Sequence, residues 1–215
     1  MFALGDSPYA GAVLEFLVGS GLAAAAGLNA WMPLLVLGLA DRLVEAVELP
    51  AGWTWLSSDI ALWLVGILLV VEIVADKIPA VDSLNDILQT VIRPASGGVA
   101  FGAGATAETV RVDDPSSLLA DAVWAPIVAG VVIALAVHAL KASARPLANL
   151  ATAGLAAPLV STAEDVSSLA LAVAAIFVPV LAGMLLLGLV VAAILVVRRR
   201  RRLRSSRLPA PPAHA

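Results

Sequence analysis

Residues 70–94 read VVEIVADKIPAVDSLNDILQTVIRP. An apolar run ends here, and Glu72, Asp76, Lys77, Asp82, Asp86 and Arg93 follow before the next proline. The stretch is either a wetted connection between two membrane spans or a polar site held at a membrane. Its surroundings decide the class of protein. Of 215 residues, 61% are hydrophobic and 13% charged, against about 25% charged in a soluble domain. Mean hydropathy is +0.99. Phe16–Ala40 and Leu169–Val197 carry no charge over 25 and 29 residues, each more than the roughly 20 a spanning helix needs. The N-terminus MFALGDSPYA lacks the basic residue of a signal peptide. The expectation is an all-α integral membrane protein.

Outward from the quoted stretch, the spans read as follows. The first covers about Ala12–Ala40. Pro33 has no N–H and would leave the Asn29 carbonyl unpaired, so a break or kink falls near Asn29. The acidic connection Asp41–Asp59 carries Trp53 and Trp55, residues typical of a membrane boundary. The second span is about Leu56–Ala75. Pro94–Ala107 is Gly/Ala-rich and uncharged; as a helix of its own it would reach only about 21 Å, so it reads as a short or re-entrant segment. Leu118–Leu140 is a full span, Leu147–Ala163 a second short segment, and the last span ends in RRRRRLR. That makes about six membrane segments, four long and two short or re-entrant. Residues 1–207 form one polytopic domain and 208–215 a disordered cytoplasmic tail.

The order Arg93-Pro94, small-residue segment, Asp114-Pro115-Ser116-Ser117-Leu118, Pro126, Lys141 returns as Arg145-Pro146, small-residue segment, Asp165-Val166-Ser167-Ser168-Leu169, Pro179, Arg198. The offsets of 51 to 53 residues point to a parallel internal repeat, units 93–141 and 145–198. Asp114 and Asp165 would cap helix starts. Seven of thirteen basic residues lie in Arg198–Arg207, a run expected to face the cytoplasm and anionic lipids. Counting back from it with six crossings puts Lys77, Arg93, Lys141, Arg145 and the N-terminus inside, and Glu164 and Asp165 outside.

In DSLNDILQTVIR, Leu84, Ile87, Leu88, Val91 and Ile92 share one helical face, and Asp82, Asp86, Gln89 and Arg93 the opposite one. This predicts a short amphipathic helix ended by Pro94 at the cytoplasmic surface, its apolar side toward lipid or protein. Glu72 and Asp76 lie one turn apart at the end of the second span. A carboxylate there needs a partner, with Lys77 or Arg93 at hand. His138, Lys141, Arg145 and Asn149 recur at spacings of 3, 4 and 4, with a boundary expected at Pro146. The candidate substrate or ion site is therefore Asn29, Glu72, Asp76, Lys77, Asp82, Asp86, Arg93, Lys141, Arg145, Asn149, Glu164 and Asp165. The chain has no cysteine and two distant histidines, which removes thiol chemistry and leaves no expected metal site, cofactor or catalytic residue. No hydrolase, protease or phosphate-loop motif appears.

GLNAWMPLLVLGL (27–39), ADKIPAVDSLNDILQTVIRPASGG (75–98), KASARPLAN and STAEDV resemble the bacterial membrane proteins grouped as domain of unknown function 4126, over about residues 15–197. The resemblance implies an integral membrane protein and brings no activity, substrate or cofactor. The expected function is a small-solute or ion transporter or channel of the bacterial inner membrane, both termini cytoplasmic. The alternative is a non-transporting scaffold or partner-binding membrane protein. Neither an enzyme nor a nucleic-acid partner is expected.

Overall fold

The structure, a computed structural model, describes residues 8–105, 124–152, 157–188, 190, 191 and 198, with side chains except at 8–10, 12, 79–80, 82–84 and 144–152. It contains α1 (Pro8–Leu28), α2 (Met32–Leu43), a 3-10 turn Thr54–Ser57, α3 (Asp59–Ala75), α4 (Pro79–Ala105), α5 (Trp124–Thr152) and α6 (Ala157–Phe177). A shorter apolar helix, α7 (Pro179–Gly188), follows. Among the described residues there is no strand. Two stretches, Trp124–Ser143 in α5 and Ala157–Phe177, are long and apolar enough to cross a membrane.

α1 is the centre of the bundle, packed against α4, α5 and α6. Its sequence is apolar on every side, as a helix enclosed by others must be, and Leu22 through Ala26 are fully buried. α4 runs antiparallel to α1: Arg93 lies at the end of α1, while Phe101 lies against Gly19. α4 and α5 cross with their backbones nearly touching, because both carry glycine at the crossing. A Cβ on Gly97 would sit 2.8 Å from the Gly130 carbonyl oxygen, and one on Gly130 would collide with the Gly97 carbonyl. Gly130→Ala is expected to destabilise the fold by about 1–3 kcal/mol through overpacking. Gly66→Ala meets nothing within 4 Å and should leave it unchanged; thermal unfolding of the purified variants checks both.

Several expectations about chain path are corrected. The break expected near Asn29 is present at residues 29–31, but it divides Ala12–Ala40 into two helices and not one kinked span. The chain turns back there. Trp53, beyond α2, rests on Gly102, at the level where Phe101 meets Gly19. Arg42 at the end of α2 pairs with Asp59 at the start of α3, where Ser58 caps Ala61 N–H. The start of α1 and Lys77 therefore lie at opposite ends of the bundle, not the same one. Pro94 does not end a helix, and Pro94–Ala107 is no separate segment: α4 runs through Pro94 to Ala105. α5 likewise runs through Pro146 to Thr152. At Pro94, which is buried, packing against neighbours offsets the one hydrogen bond it removes. Asp165 is no N-cap but lies within α6. Asp114 of the proposed repeat lies outside the described residues.

The faces of α3 and α4 are inverted relative to a soluble protein. On α3, Ile60, Trp63, Leu64, Ile67, Val70 and Val74 are exposed, while Glu72 is buried. On α4, Ile87 and Val91 are 68% and 73% exposed, while Gln89 and Arg93 are buried at 2% and 0%. The amphipathic reading of this stretch holds, with its charged face turned inward. The stretch is not a surface helix: it is the first half of α4, and Arg93 stands near that helix's midpoint.

Candidate functional site

The site begins where α1 stops. A helix end leaves carbonyls without donors and the next helix start leaves N–H groups without acceptors; here side chains from three other helices, with Asn29 itself, supply both. The Ala25 carbonyl accepts the Asn29 N–H at 2.9 Å and the Ser168 hydroxyl at 2.9 Å. The Leu28 carbonyl accepts the Lys141 ammonium at 2.9 Å. On the other side of the break, Asn29 Oδ1 accepts Trp31 N–H at 3.2 Å and Met32 N–H at 3.1 Å. Ala30 N–H donates to both Glu72 carboxylate oxygens, at 3.1 and 3.3 Å. The negative end of α1 thus faces a cation and the positive end of α2 a carboxylate, the favourable sense for each helix dipole. Pro33, in the first turn of α2, donates no bond and does not need to.

From Glu72 the network widens. Arg93 donates to Glu72 Oε1 through Nε at 3.3 Å and Nη2 at 2.9 Å, and from Nη2 to Asp76 Oδ2 at 3.4 Å. Its Nη1 lies 3.1 Å from His138 Nδ1. A guanidinium only donates, so Nδ1 presents its lone pair and the ring proton sits on Nε2. That nitrogen is 3.2 Å from Thr90 Oγ1, whose hydroxyl donates to the Asp86 carbonyl at 2.9 Å. Asn85 donates to Asp76 Oδ1 at 2.7 Å. Lys141 reaches Asp76 Oδ2 at 3.3 Å and Glu164 Oε2 at 3.0 Å. Asp165 accepts from Asn29 Nδ2 at 3.0 Å and from Lys77 at 3.3 Å.

Eight of the twelve proposed site residues therefore form one connected set: Asn29, Glu72, Asp76, Lys77, Arg93, Lys141, Glu164 and Asp165. Asp86 is half-buried on the inward face of α4, with its carbonyl at the edge of the network. Asp82, Arg145 and Asn149 belong to α4 and α5, and their side chains lie outside the described residues. Placing Glu164 and Asp165 across a membrane from Lys141 and Lys77 is overturned by the two ion pairs. Lys141 and Glu164 meet, so the chain stands at the same level before and after Leu147–Ala163, which is not a crossing.

The site also contains residues that the sequence reading left out. His138 shares a helical face with Lys141 but is absent from the candidate site, as are Asn85, Thr90 and Ser168. Asn85, Gln89 and Arg93 recur every four residues, and Ser161, Asp165 and Ser168 at four and three, so buried polar stripes on α4 and α6 were there to be found. Thr90 gave no such signal. Among the described residues no three His, Asp or Glu side chains converge as metal ligands would.

Burying ions costs several kcal/mol each, and their mutual attraction offsets this only when the remaining donors and acceptors are met. The network therefore holds charge inside a helical bundle by joining the α1–α2 break to α3, α4, α5 and α6. A family model described as domain of unknown function (DUF4126) matches residues 16–199. The chain belongs to this family. No curated protein and no solved structure matches it.

Proposed function

We propose that the chain is a multi-pass protein of the cell membrane that passes a small solute or ion across the bilayer, using the network at the helix break as its polar site. The inverted faces of α3 and α4 support the membrane reading. Apolar side chains cover the outside of helices whose inner faces carry arginine and carboxylates, the distribution that lipid rather than water favours. One observation carries the transport reading: a three-residue turn between two helices inside the bundle, where the carbonyl end of α1 is met by Lys141 and the N–H end of α2 by Glu72, both from other helices. Discontinuous helices with exposed dipole ends are the means by which transporters hold charged cargo within a membrane. Hydrolytic chemistry gains no support from the Thr90–His138 contact, since the proton on Nε2 leaves His138 no lone pair toward Thr90. Binding of anionic lipid headgroups by Arg198–Arg207 is a further part of this reading, drawn from charge alone.

The test is flux. Purified protein in liposomes, loaded and assayed with a panel of inorganic ions and small charged metabolites, should move at least one of them. Asp76→Asn and Asp165→Asn should abolish that movement while the proteins remain monodisperse in detergent. Flux that survives both substitutions would separate transport from this site. Wild-type protein that moves nothing on the panel while a partner protein co-purifies would favour the scaffold reading instead.

A further inference from the structure

The contacts of Lys141 point to the class of cargo. Its Nζ is enclosed by three oxygens from three helices: the Leu28 carbonyl at 2.9 Å, Glu164 Oε2 at 3.0 Å and Asp76 Oδ2 at 3.3 Å. The first is a peptide carbonyl at the negative end of an interrupted helix, and the others are carboxylates. That donor set suits hard monovalent cations, and in broken-helix transporters half-helix C-terminal ends and unwound carbonyls coordinate the coupling ion. Lys141 itself is 6% exposed, and its ammonium occupies the cage as a tethered cation.

We propose that this cage is a site for a free monovalent cation of potassium or ammonium size, and that Lys141 competes with it. The proposal rests on the transport reading and names its cargo class. The size follows from the present occupant, because an ammonium group and a potassium ion fill nearly the same space. A metal cation needs more oxygen ligands than an ammonium with three N–H bonds. Two further buried oxygens stand on the same helical stripes as groups that touch the cage. Gln89 Oε1 and Ser161 Oγ are buried and have no hydrogen-bond partner among the described residues. Gln89 stands one turn from both Asn85 and Arg93, whose side chains reach Asp76. Ser161 stands three residues before Glu164 and four before Asp165, on the stripe of α6 that faces the break. The pair Lys77–Asp165 forms the wetter edge of the network, with Lys77 36% exposed at its side chain, and marks where a cation from solution would enter.

The experiment uses full-length protein in detergent, with potassium, ammonium, sodium or N-methylglucamine chloride at equal ionic strength. Apparent melting temperature and binding of radioactive rubidium are the two readouts. Wild type should melt higher in potassium or ammonium than in N-methylglucamine. Lys141→Met, which keeps the length of the arm and removes its charge, should bind rubidium roughly tenfold or more tighter, about 1.4 kcal/mol. Glu164→Gln added to Lys141→Met should remove that gain. Should Lys141→Met fold in no salt, the wild-type potassium dependence and its loss in Glu164→Gln decide. Melting temperatures that ignore cation identity, or rubidium binding unchanged in Lys141→Met, would overturn the proposal. Because binding is read without flux, cation binding in a protein that transports nothing would reject the transport reading alone.

Discussion

Arg93→Leu is expected to lose most of the folded protein. The guanidinium is fully buried and touches Glu72, Asp76 and His138. Without it, two carboxylates one turn apart would face each other in the bundle interior, with Lys141 left to serve Asp76. Breaking a buried pair by removing one partner costs about 3–5 kcal/mol, a large share of the roughly 5–15 kcal/mol that holds a typical domain together. The measurement is the monodisperse fraction in detergent and its apparent melting temperature. Arg93→Lys should fall between wild type and leucine, because a single ammonium cannot bond Glu72, Asp76 and His138 together. Adding Glu72→Gln to Arg93→Leu should recover part of the loss, since glutamine removes the orphaned charge and still accepts the Ala30 N–H. A leucine variant that melts with wild type would mean that Arg93 and Glu72 do not meet in the folded protein.

The same residues show how far the sequence could be read. Arg93, Gln89 and Asp86 on one face of a helix, and Glu72 and Asp76 at the end of another, are local patterns, and local spacing places them. Which acid meets which base is not local. Asn29 meets Asp165 across 136 residues and Lys77 meets Asp165 across 88, and neither spacing nor hydropathy encodes those pairs. Helices α4 and α5 continue through Pro94 and Pro146; at the buried Pro94 the reason is packing, since proline breaks an isolated helix but a tightly packed one runs through it. The chain reversal was hidden for a different reason. Reversals are recognised from polar loops, and three residues, Asn29, Ala30 and Trp31, turn this chain with none. Their N–H groups are satisfied by the Ala25 carbonyl, Glu72 and the Asn29 side-chain amide instead of water. Charge counting, which assumes one crossing per apolar run, then assigns Asp41–Asp59, Lys77–Arg93 and Lys141 to the wrong end relative to the start of α1.

That hidden reversal makes Asn29 the second position of large expected effect. Its side chain serves both sides of the break, accepting from Trp31 and Met32 N–H and donating to Asp165. Asn29→Leu removes all three bonds, and two buried N–H groups are left at about 1–3 kcal/mol each. A straightened chain would not escape the cost, because Pro33 has no N–H for the Asn29 carbonyl and the Ala30 N–H would leave Glu72. A steep fall in apparent melting temperature is expected. Asn29→Asp separates the two roles: its carboxylate still accepts from Trp31 and Met32, in the favourable position at a helix start, but it stands against Asp165 as a like charge. Asn29→Asp alone should therefore destabilise, and adding Asp165→Asn should restore stability by returning a donor and acceptor to the pair. The leucine variant should gain nothing from Asp165→Asn, because its loss lies in the backbone of α2. Rescue of both variants alike would place the whole effect in the charge of Asp165 and remove the Asn29 amide as the device that turns the chain.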